Sequence, residues 1–318
     1  MTDYGHPILF GTLIEPPANR PLDVIGLAEL SDGLGLDLVS LSDHPYWPER
    51  LDTLTLLAAI AAKTERVRLL TNLANLPLRP PVALARIATT LDLLSGGRFE
   101  MGLATGSQQL WHQIVADGGP HRDAAESVAA LDEAVHILRT LWAAGGPVHF
   151  DGVHYQLDGV PAGPRPAHDI PIWVGAYQPR MLRLVGRLAD VWVPSSPFLP
   201  PDRIPAANAI IDDAAHSAGR SPAAVRRAYN IDGDFYGGGG FLRGSPASWA
   251  EQLTELALTD GMSAFLLYRA ETATQIERFA KEVAPEVRYR VAAERKRSDQ
   301  TPANSRSRCS EIEPGSAQ

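Results

Sequence analysis

The side chains best suited to chemistry in this sequence lie in short polar segments that directly follow apolar runs. Ser42-Asp43-His44 follows the run Leu36–Leu41, and Ala104-Thr105-Gly106-Ser107 follows the run Phe99–Leu103. An imidazole titrates near neutral pH, so His44 is suited to accept or donate a proton. The small residues of the second segment let a ligand approach the backbone closely. These segments predict a small-molecule site, beside which His44 either exchanges a proton or caps and packs at the strand end.

A third polar segment, Thr71-Asn72-Leu73-Ala74-Asn75, follows the apolar run Val67–Leu70 and precedes a helical pattern. The helix is predicted to begin at Pro80-Pro81 and to end at Ser95-Gly96-Gly97, where a glycine can adopt the left-handed conformation. Its predicted apolar face consists of Leu84, Ile87, Ala88, Leu91 and Leu94. The strands on either side end at the same edge of the sheet, where α/β folds bind their ligands.

The same alternation of strand and helix continues along most of the chain. The predicted strands are Ile8–Leu13, Leu36–Leu41, Val67–Asn72, Phe99–Leu103, Ile172–Gly175, Val191–Val193, Arg227–Ile231 and Ala264–Leu267. Eight strands with intervening helices predict a single (β/α)8 TIM barrel. A doubly wound sheet can be built from the same order, but the first strand lacks the GxGxxG motif of a dinucleotide-binding sheet.

An insertion is predicted between strands 4 and 5, because about 65 residues separate Gly106 from Pro171, too many for one crossover. The insertion is expected to contain a helix, Ala124–Ala143, and a hairpin around Val148–Tyr155, and to cover the ligand site. The barrel is predicted to occupy residues 1–290. Residues 291–318 are rich in Arg, Lys, Ser, Pro and Glu, which predicts a disordered C-terminal tail.

Composition excludes several classes of protein. The chain has 318 residues, 45% of them hydrophobic, and a net charge of −8, so neither nucleic acid nor an anionic membrane is an expected partner. No apolar run is long enough to span a membrane, and no secretory signal is recognisable at the N-terminus. The single cysteine and the absence of HxH or HExxH motifs predict no metal site. A cytoplasmic enzyme is the expected class.

The chain resembles the luciferase-like monooxygenase superfamily, the flavin- or deazaflavin-dependent (β/α) barrels related to bacterial luciferase. The resemblance covers nearly the whole predicted barrel. It rests on the order and spacing of four segments: LVSLSDHPYW, LLTNLANLPLRPPVALARIATTLDLLSGGRFEMGLATGS, PIWVGAYQPRMLRLVGRLADVWV and IERFAKEVAPEVR. No single motif is specific, whereas the combination is.

The resemblance implies a cofactor, either coenzyme F-420 or FMN, and residues that hold it. In the family a cis peptide bond at the end of the third strand backs the isoalloxazine ring. By position, the corresponding bond in this chain joins Asn72 and Leu73. Loops after the fourth and fifth strands hold the cofactor phosphate, the second of them at a helix N-terminus. The implied cofactor-binding residues are Asn72, Leu73, Ala74, Thr105, Gly106, Ser107, Gly175, Ala176, Tyr177 and Gln178.

The resemblance also implies catalytic residues, namely Asp43, His44 and Trp47. In deazaflavin-dependent relatives that oxidise alcohols or sugars, the histidine takes the hydroxyl proton while hydride leaves for the ring. The alternative is structural: His44 packs at the strand end and Asp43 orients the loop. Ser107 departs from the subgroup, which has a glutamate there as proton donor. Tyr177 and Gln178 replace the small residues common in the phosphate loop, where they either touch the phosphate or fill space.

Two chemistries are compatible with this interpretation. FMN would support oxygenation of a small-molecule substrate, with a flavin reductase as a further partner, whereas coenzyme F-420 would support hydride transfer alone. Four aromatic residues are candidates to line the pocket, although core packing is the simpler role for each: Tyr46, Trp111, Trp192 and Phe198. The alternatives outside redox chemistry are a non-catalytic flavin-binding protein and a non-redox barrel enzyme. A homodimer through the helices beside strands 2 and 3 is expected by resemblance alone.

Overall fold

The structure is a computed structural model that describes residues 2–106 and 108–300. Its strands, numbered in chain order, are β1 (Leu9–Ile14), β2 (Leu38–Leu41), β3 (Arg68–Thr71), β4 (Ala74–Asn75), β5 (Phe99–Ala104), β6 (Val148–Asp151), β7 (Gln156–Val160), β8 (Ile172–Val174), β9 (Val191–Trp192), β10 (Arg226–Ile231) and β11 (Met262–Tyr268). All of them except β6 and β7 belong to one sheet. The predicted strands 4 and 5 are therefore β5 and β8.

The main sheet closes on itself. Its strands follow the order β3, β2, β1, β11, β10, β9, β8, β5, and β5 pairs in turn with β3, with Leu69 opposite Phe99. Every pairing in this ring is parallel, and β4 continues the path of β3 along β5. A closed ring of eight parallel strands confirms the predicted TIM barrel and excludes the open doubly wound sheet.

The helices pack around the outside of this ring. They are α1 (Pro21–Gly33), α2 (Thr53–Ala61), α3 (Pro81–Ser95), α4 (Trp111–Ala116), α5 (Ala124–Ala143), α6 (Pro179–Leu188), α7 (Ile204–Ser217), α8 (Pro246–Asp260), α9 (Ala273–Arg278) and α10 (Ala284–Gln300). Their ends show the capping chemistry expected from the sequence. Ser245 caps α8 through the Ser248 N–H, and Gly96 ends α3 with a φ of 70°.

The buried face of α3 differs from the predicted one. Ile87 and Leu94 are 37% and 72% exposed, whereas the neighbouring Ala85 and Asp92 are buried. The cause is the insertion, because Trp142 of α5 donates its indole N–H to the Ala85 carbonyl and Asp92 accepts backbone N–H groups from the segment before β8. These contacts turn the buried face of α3 toward α5. The local spacing of apolar residues does not report contacts with such a distant segment.

The insertion between β5 and β8 consists of α4, α5 and the hairpin β6–β7. The hairpin extends to Val160, five residues beyond the predicted end at Tyr155, because residues 152–155 form its turn. Glu133 of α5 holds that turn by accepting the backbone N–H groups of Val153, His154 and Tyr155. The hairpin is therefore fixed to the long helix.

The last described residues are helical where composition predicts disorder to begin. Helix α10 continues through residues 291–300, and Val291 is 1% exposed because it packs in the main core. Residues 301–318, the rest of the predicted tail, lie outside the described residues. Among the described residues, no helix is both long and apolar enough to cross a membrane.

Gly186 provides a test of the packing between α6 and α7. A Cβ at Gly186 would lie 2.3 Å from the Ile211 carbonyl oxygen, whereas one at Gly26, in the middle of α1, would meet nothing within 4 Å. We expect Gly186→Ala to lower the free energy of unfolding by about 1–3 kcal/mol through overpacking. Gly26→Ala is the matched control and should raise it by about 0.5–1 kcal/mol. Urea denaturation measures both, and equal effects would contradict this account of the helix contact.

Candidate active site

The loop after β2 is anchored by the carboxylate of Asp43. Its oxygens accept two hydrogen bonds from Arg79, from Nε at 2.8 Å and Nη2 at 2.7 Å, and a third from the backbone N–H of Asn75 at 2.9 Å. The Asp43 side chain is 1% exposed and that of Arg79 is 14% exposed. Both carboxylate oxygens are thus engaged, and the arrangement matches the structural alternative in which Asp43 orients the loop.

Arg79 is a site residue that sequence reasoning missed. It lies after β4, and it also donates to Asp52, the residue that caps α2. Burial lowers the pKa of Arg79, but the hydrogen bonds and negative charges of Asp43 and Asp52 outweigh burial and raise it above its ordinary value. A signal was available in the sequence, since Arg79 is the one charged residue in the otherwise apolar segment from Leu76 to Val82.

His44 lies at the carboxyl end of β2 in a small aromatic cluster. Its Nδ1 is 2.8 Å from the Tyr46 hydroxyl, and its ring lies 4.3 Å from that of Trp47 at an interplanar angle of 34°. Within the described residues, His44 Nε2 forms no hydrogen bond. One ring nitrogen is thus held by the protein while the other is free for a ligand.

The surroundings of His44 favour its neutral form. Burial is the largest effect and lowers the pKa of His44 below its ordinary value of 6.5, although the carboxylates of Glu15 and Asp43 oppose the shift. Arg50 acts in the same direction as burial and lies 3.0 Å from Glu15. A neutral imidazole at pH 7 is the form that can accept a proton. Glu15, at the end of β1, is a second residue that the sequence did not single out.

The segment after β3 lies beside the predicted phosphate loops. The peptide bond between Asn72 and Leu73 is cis, as the resemblance implied. The Leu73 side chain packs against Gly102 and Gly175, which have no side chains to block it. A Cβ at Gly102 would lie 2.7 Å from one Leu73 methyl group, and a Cβ at Gly175 would lie 2.6 Å from the other. The ends of β3, β5 and β8 therefore meet around Leu73, which brings together the candidate cofactor-binding segments Asn72–Ala74 and Gly175–Gln178.

A polar network crosses the barrel beneath this point. The side-chain amides of Asn72 and Asn230 exchange two hydrogen bonds, of 2.8 and 3.1 Å. Asn230 also donates to Ser195, and Asn72 donates to Ser40. This network links β2 and β3 to β10 and the loop after β9, so the end of β3 is held from both sides. Sequence reasoning selected Asn72 alone, because nothing local marks an asparagine 158 residues away as its partner.

The first predicted phosphate loop, after β5, is only partly described. Gly106 has a φ of 81°, and a Cβ there would lie 2.9 Å from Ile114 of α4, so the loop requires glycine at this point. The Thr105 hydroxyl donates to the Gly106 carbonyl at 3.3 Å. Ser107 lies outside the described residues. The nearby Asn75 Oδ1 is buried without a hydrogen-bond partner among the described residues, which leaves an acceptor beside the loop.

The second predicted phosphate loop, Gly175–Gln178, leads into α6. Gln178 occupies the N-cap position without a side-chain capping bond, so the first amides of the helix have no side-chain partner there. The Tyr177 hydroxyl turns away from the helix and accepts the Ser195 N–H at 3.1 Å, while its ring meets Phe198 edge-on. Trp192, a candidate pocket residue, is fully buried and donates to the Ala176 carbonyl, so it belongs to the core.

Residues 5–232 match the family described as luciferase-like monooxygenase. The chain belongs to this family. The match spans the barrel from β1 to β10, and with it β2, β3, β5 and β8, whose ends form the candidate site.

Individual relatives in this family have named activities. The chain is 33% identical over 197 residues to the coenzyme F-420-dependent glucose-6-phosphate dehydrogenase of Nakamurella multipartita, a match that covers 60% of this chain and 57% of that one. It is 32% identical over 145 residues to pyrimidine monooxygenase RutA of Allorhizobium ampelinum, covering 46% and 39%. Each match spans less than two thirds of the relative's own length.

The fold agrees with that of a solved deazaflavin enzyme. The coenzyme F-420-dependent tetrahydromethanopterin reductase of Methanopyrus kandleri superimposes with a TM-score of 0.77 and 19% identity, covering 89% of this chain and all of that one. At this identity the likeness concerns the fold.

The Asp43–Arg79 pair can be tested by removing the cation. We expect Arg79→Met to lower the free energy of unfolding by about 3 kcal/mol, because it leaves the buried Asp43 carboxylate without its charged partner. Arg66→Met is the control, since Arg66 is 63% exposed beside Asp32 and such a pair contributes about 1 kcal/mol or less. Urea denaturation gives both values. A loss no larger than in the control would show that Arg79 does not anchor the loop.

Proposed function

We propose that the chain is an oxidoreductase that transfers hydride between a small organic substrate and coenzyme F-420 at the carboxyl end of the barrel. The observation that carries this proposal is His44, a partly buried imidazole after β2 whose Nδ1 is held by Tyr46 and whose Nε2 has no hydrogen-bond partner among the described residues. The coenzyme F-420-dependent relative supports the same chemistry. A primary or secondary alcohol, or the carbonyl compound formed from it, is the substrate class that needs such a base.

The residues present fit a flavin-type cofactor. Asn72, Leu73 and Ala74 would back the ring, since Leu73 is partly exposed above the glycines of β5 and β8. Thr105, Gly106 and Ser107, with Gly175, Ala176, Tyr177 and Gln178, would hold the phosphate-bearing tail. The start of α6 has no side-chain cap among the described residues, and its free amides suit an anion there.

The protein's own part in the reaction is to hold the substrate and move one proton. When bound, the deazaflavin supplies a ring that accepts or returns a hydride. In the oxidising direction, the substrate C–H electron pair leaves as hydride and the hydroxyl proton passes to His44 Nε2. Trp47 packs against the imidazole in a tilted arrangement and restricts its rotation, while Asp43 and Arg79 hold the loop that carries both.

An FMN-dependent monooxygenase is the second candidate. It is favoured by Ser107, because a serine cannot replace the glutamate that serves as proton donor in the deazaflavin dehydrogenases. The similarity to a pyrimidine monooxygenase points the same way. Such an enzyme would need reduced FMN from a flavin reductase.

Fluorescence-quenching titrations of the purified protein with coenzyme F-420 and with FMN test the proposal. We expect micromolar binding of coenzyme F-420 and much weaker binding of FMN. Binding of FMN alone would support the monooxygenase and direct the next measurement to oxygen consumption with a reductase. If neither cofactor binds, the redox function is wrong.

His44→Ala should keep the cofactor affinity and lower kcat about 10²- to 10⁴-fold, as expected for loss of a general base. Because the pKa of His44 lies below 6.5, kcat/KM for oxidation should fall on the acid side with an apparent pKa below 6.5. The pH profile of the variant should lack this limb. A limb that persists in His44→Ala would assign the base to another group.

We also propose a homodimer through α2 and α3. Support comes from the apolar side chains that α3 leaves exposed, Ile87, Leu93 and Leu94, which are 37%, 47% and 72% exposed. They lie on the helix beside strand 3 that the family resemblance implicates.

Sedimentation velocity tests the dimer. The wild-type protein should sediment as a species with twice the mass of the 34.3 kDa chain. Leu94→Glu should sediment as the monomer, because the dimer would bury a charge in the interface. Leu22→Glu, at an equally exposed leucine of α1, is the control and should leave the dimer intact. A wild-type monomer, or equal effects of the two variants, would rule out this interface.

A further inference from the structure

Arg269 directly follows β11 at the mouth of the barrel and has an unusual backbone conformation. Its φ is 54°, in the left-handed region that residues other than glycine seldom adopt. Among the described residues, the one other non-glycine residue with a positive φ is Leu242, which is fully buried, whereas Arg269 is exposed. An exposed residue held in this conformation at the ligand-binding end of a barrel is a candidate for a functional role.

The side chain of Arg269 lies beside the barrel opening. Ala264 and Leu266 of β11 belong to the apolar cluster inside the barrel, so Tyr268 continues the inward-facing alternation of the strand. The Arg269 guanidinium lies 5.2 Å from the centre of the Tyr268 ring, in a cation–π contact. The cation is therefore held on an aromatic ring that faces the interior of the barrel.

The charged groups nearest to Arg269 cancel one another. Asp232 after β10 and Glu15 after β1 both interact electrostatically with Arg269. However, Asp232 pairs with Arg243 at 3.0 Å, and Glu15 pairs with Arg50 at 3.0 Å. No other described residue forms an ion pair with Arg269 itself. Its positive charge is thus left without a direct partner, next to two carboxylates that are already paired.

The strand order places Arg269 on the same side of the mouth as His44. In the ring, β11 neighbours β1, and β1 neighbours β2, which leads into the loop of His44. Glu15, after β1, interacts electrostatically with both Arg269 and His44. The predicted phosphate loops follow β5, which lies opposite β11 in the ring of eight, and β8, which lies three strands away. An anion at Arg269 would therefore belong to the substrate rather than to the cofactor phosphate.

We propose that Arg269 binds an anionic group of the substrate, which is then a small alcohol or carbonyl compound that also carries a carboxylate or a phosphate. A guanidinium presents a planar fork of donors that matches either anion. The inference rests on the proposed hydride transfer. It adds to that function the class of the substrate and a residue that selects it.

Matched substrates test the proposal with the coenzyme F-420-bound protein. 3-Hydroxybutyrate and glycerol 3-phosphate carry the two anions, and 2-pentanol is a neutral alcohol of similar size. We expect the wild-type protein to favour one of the anionic substrates over 2-pentanol in kcat/KM. Arg269→Gln should reduce this preference about tenfold, chiefly through KM, as expected for lost hydrogen bonds to a charged group.

Two further variants separate the anion site from a general effect of charge. Arg269→Lys should retain part of the preference, because the charge remains while the planar fork is lost. Arg66→Gln is the matched control and should retain all of it. Arg66 is an arginine with a 63% exposed side chain that precedes β3, at the opposite end of the barrel.

NMR titrations of the protein with 3-hydroxybutyrate and with glycerol 3-phosphate give a readout that needs no turnover. The wild-type affinity should fall with added salt, because an exposed ion pair is screened. Arg269→Gln should bind about tenfold more weakly and with little dependence on salt. Tighter binding of the first ligand would identify a carboxylate, and tighter binding of the second a phosphate. Equal affinities of wild type and Arg269→Gln for both ligands would overturn the proposal.

The two hypotheses fail separately. If the protein transfers no hydride with coenzyme F-420 but binds these anions through Arg269, the proposed function is wrong and the anion site stands. If hydride transfer occurs and the wild-type protein favours neither anionic substrate over 2-pentanol, the function stands and the anion site is wrong.

Discussion

The parallel pairing of β5 with β3 closes the barrel, and the arrangement of the candidate site depends on this closure. A closed ring directs the carboxyl ends of its eight strands to one mouth. Loops that are far apart in sequence, such as those after β2 and β8, then surround the same space. The interruption between β3 and β4 lies on this closing strand pair, at the cis bond between Asn72 and Leu73.

Closure also accounts for the way polar side chains are used inside the barrel. The amide pair of Asn72 and Asn230 spans the interior and satisfies both side chains, where a single buried amide would cost free energy. The barrel also encloses apolar residues, including Leu70 and Trp173, and the Trp173 indole N–H donates to the buried Glu100 carboxylate. Buried polar groups inside the barrel are therefore paired with one another.

The loop after β2 combines two kinds of constraint. Asp43 is fixed by a bidentate ion pair with Arg79, which sets where the loop begins. His44, Tyr46 and Trp47 then pack against one another, which orients the imidazole. Rigid support of this kind would suit the proton transfer that we propose for His44, because such a reaction depends on distances to within a fraction of an ångström.

The sequence by itself determined the order of strands and helices, the barrel, the capping residues of α3 and α8, and, through a family resemblance, the location of the cis bond. These features follow from local periodicity and from residue types whose preferences act over a few positions. Only the tertiary structure decided that Arg79 pairs with Asp43, that Asn230 pairs with Asn72, and that α3 turns Ile87 and Leu94 outward. Such partners are separated by tens to hundreds of residues, and their pairing depends on three-dimensional packing that no local pattern records.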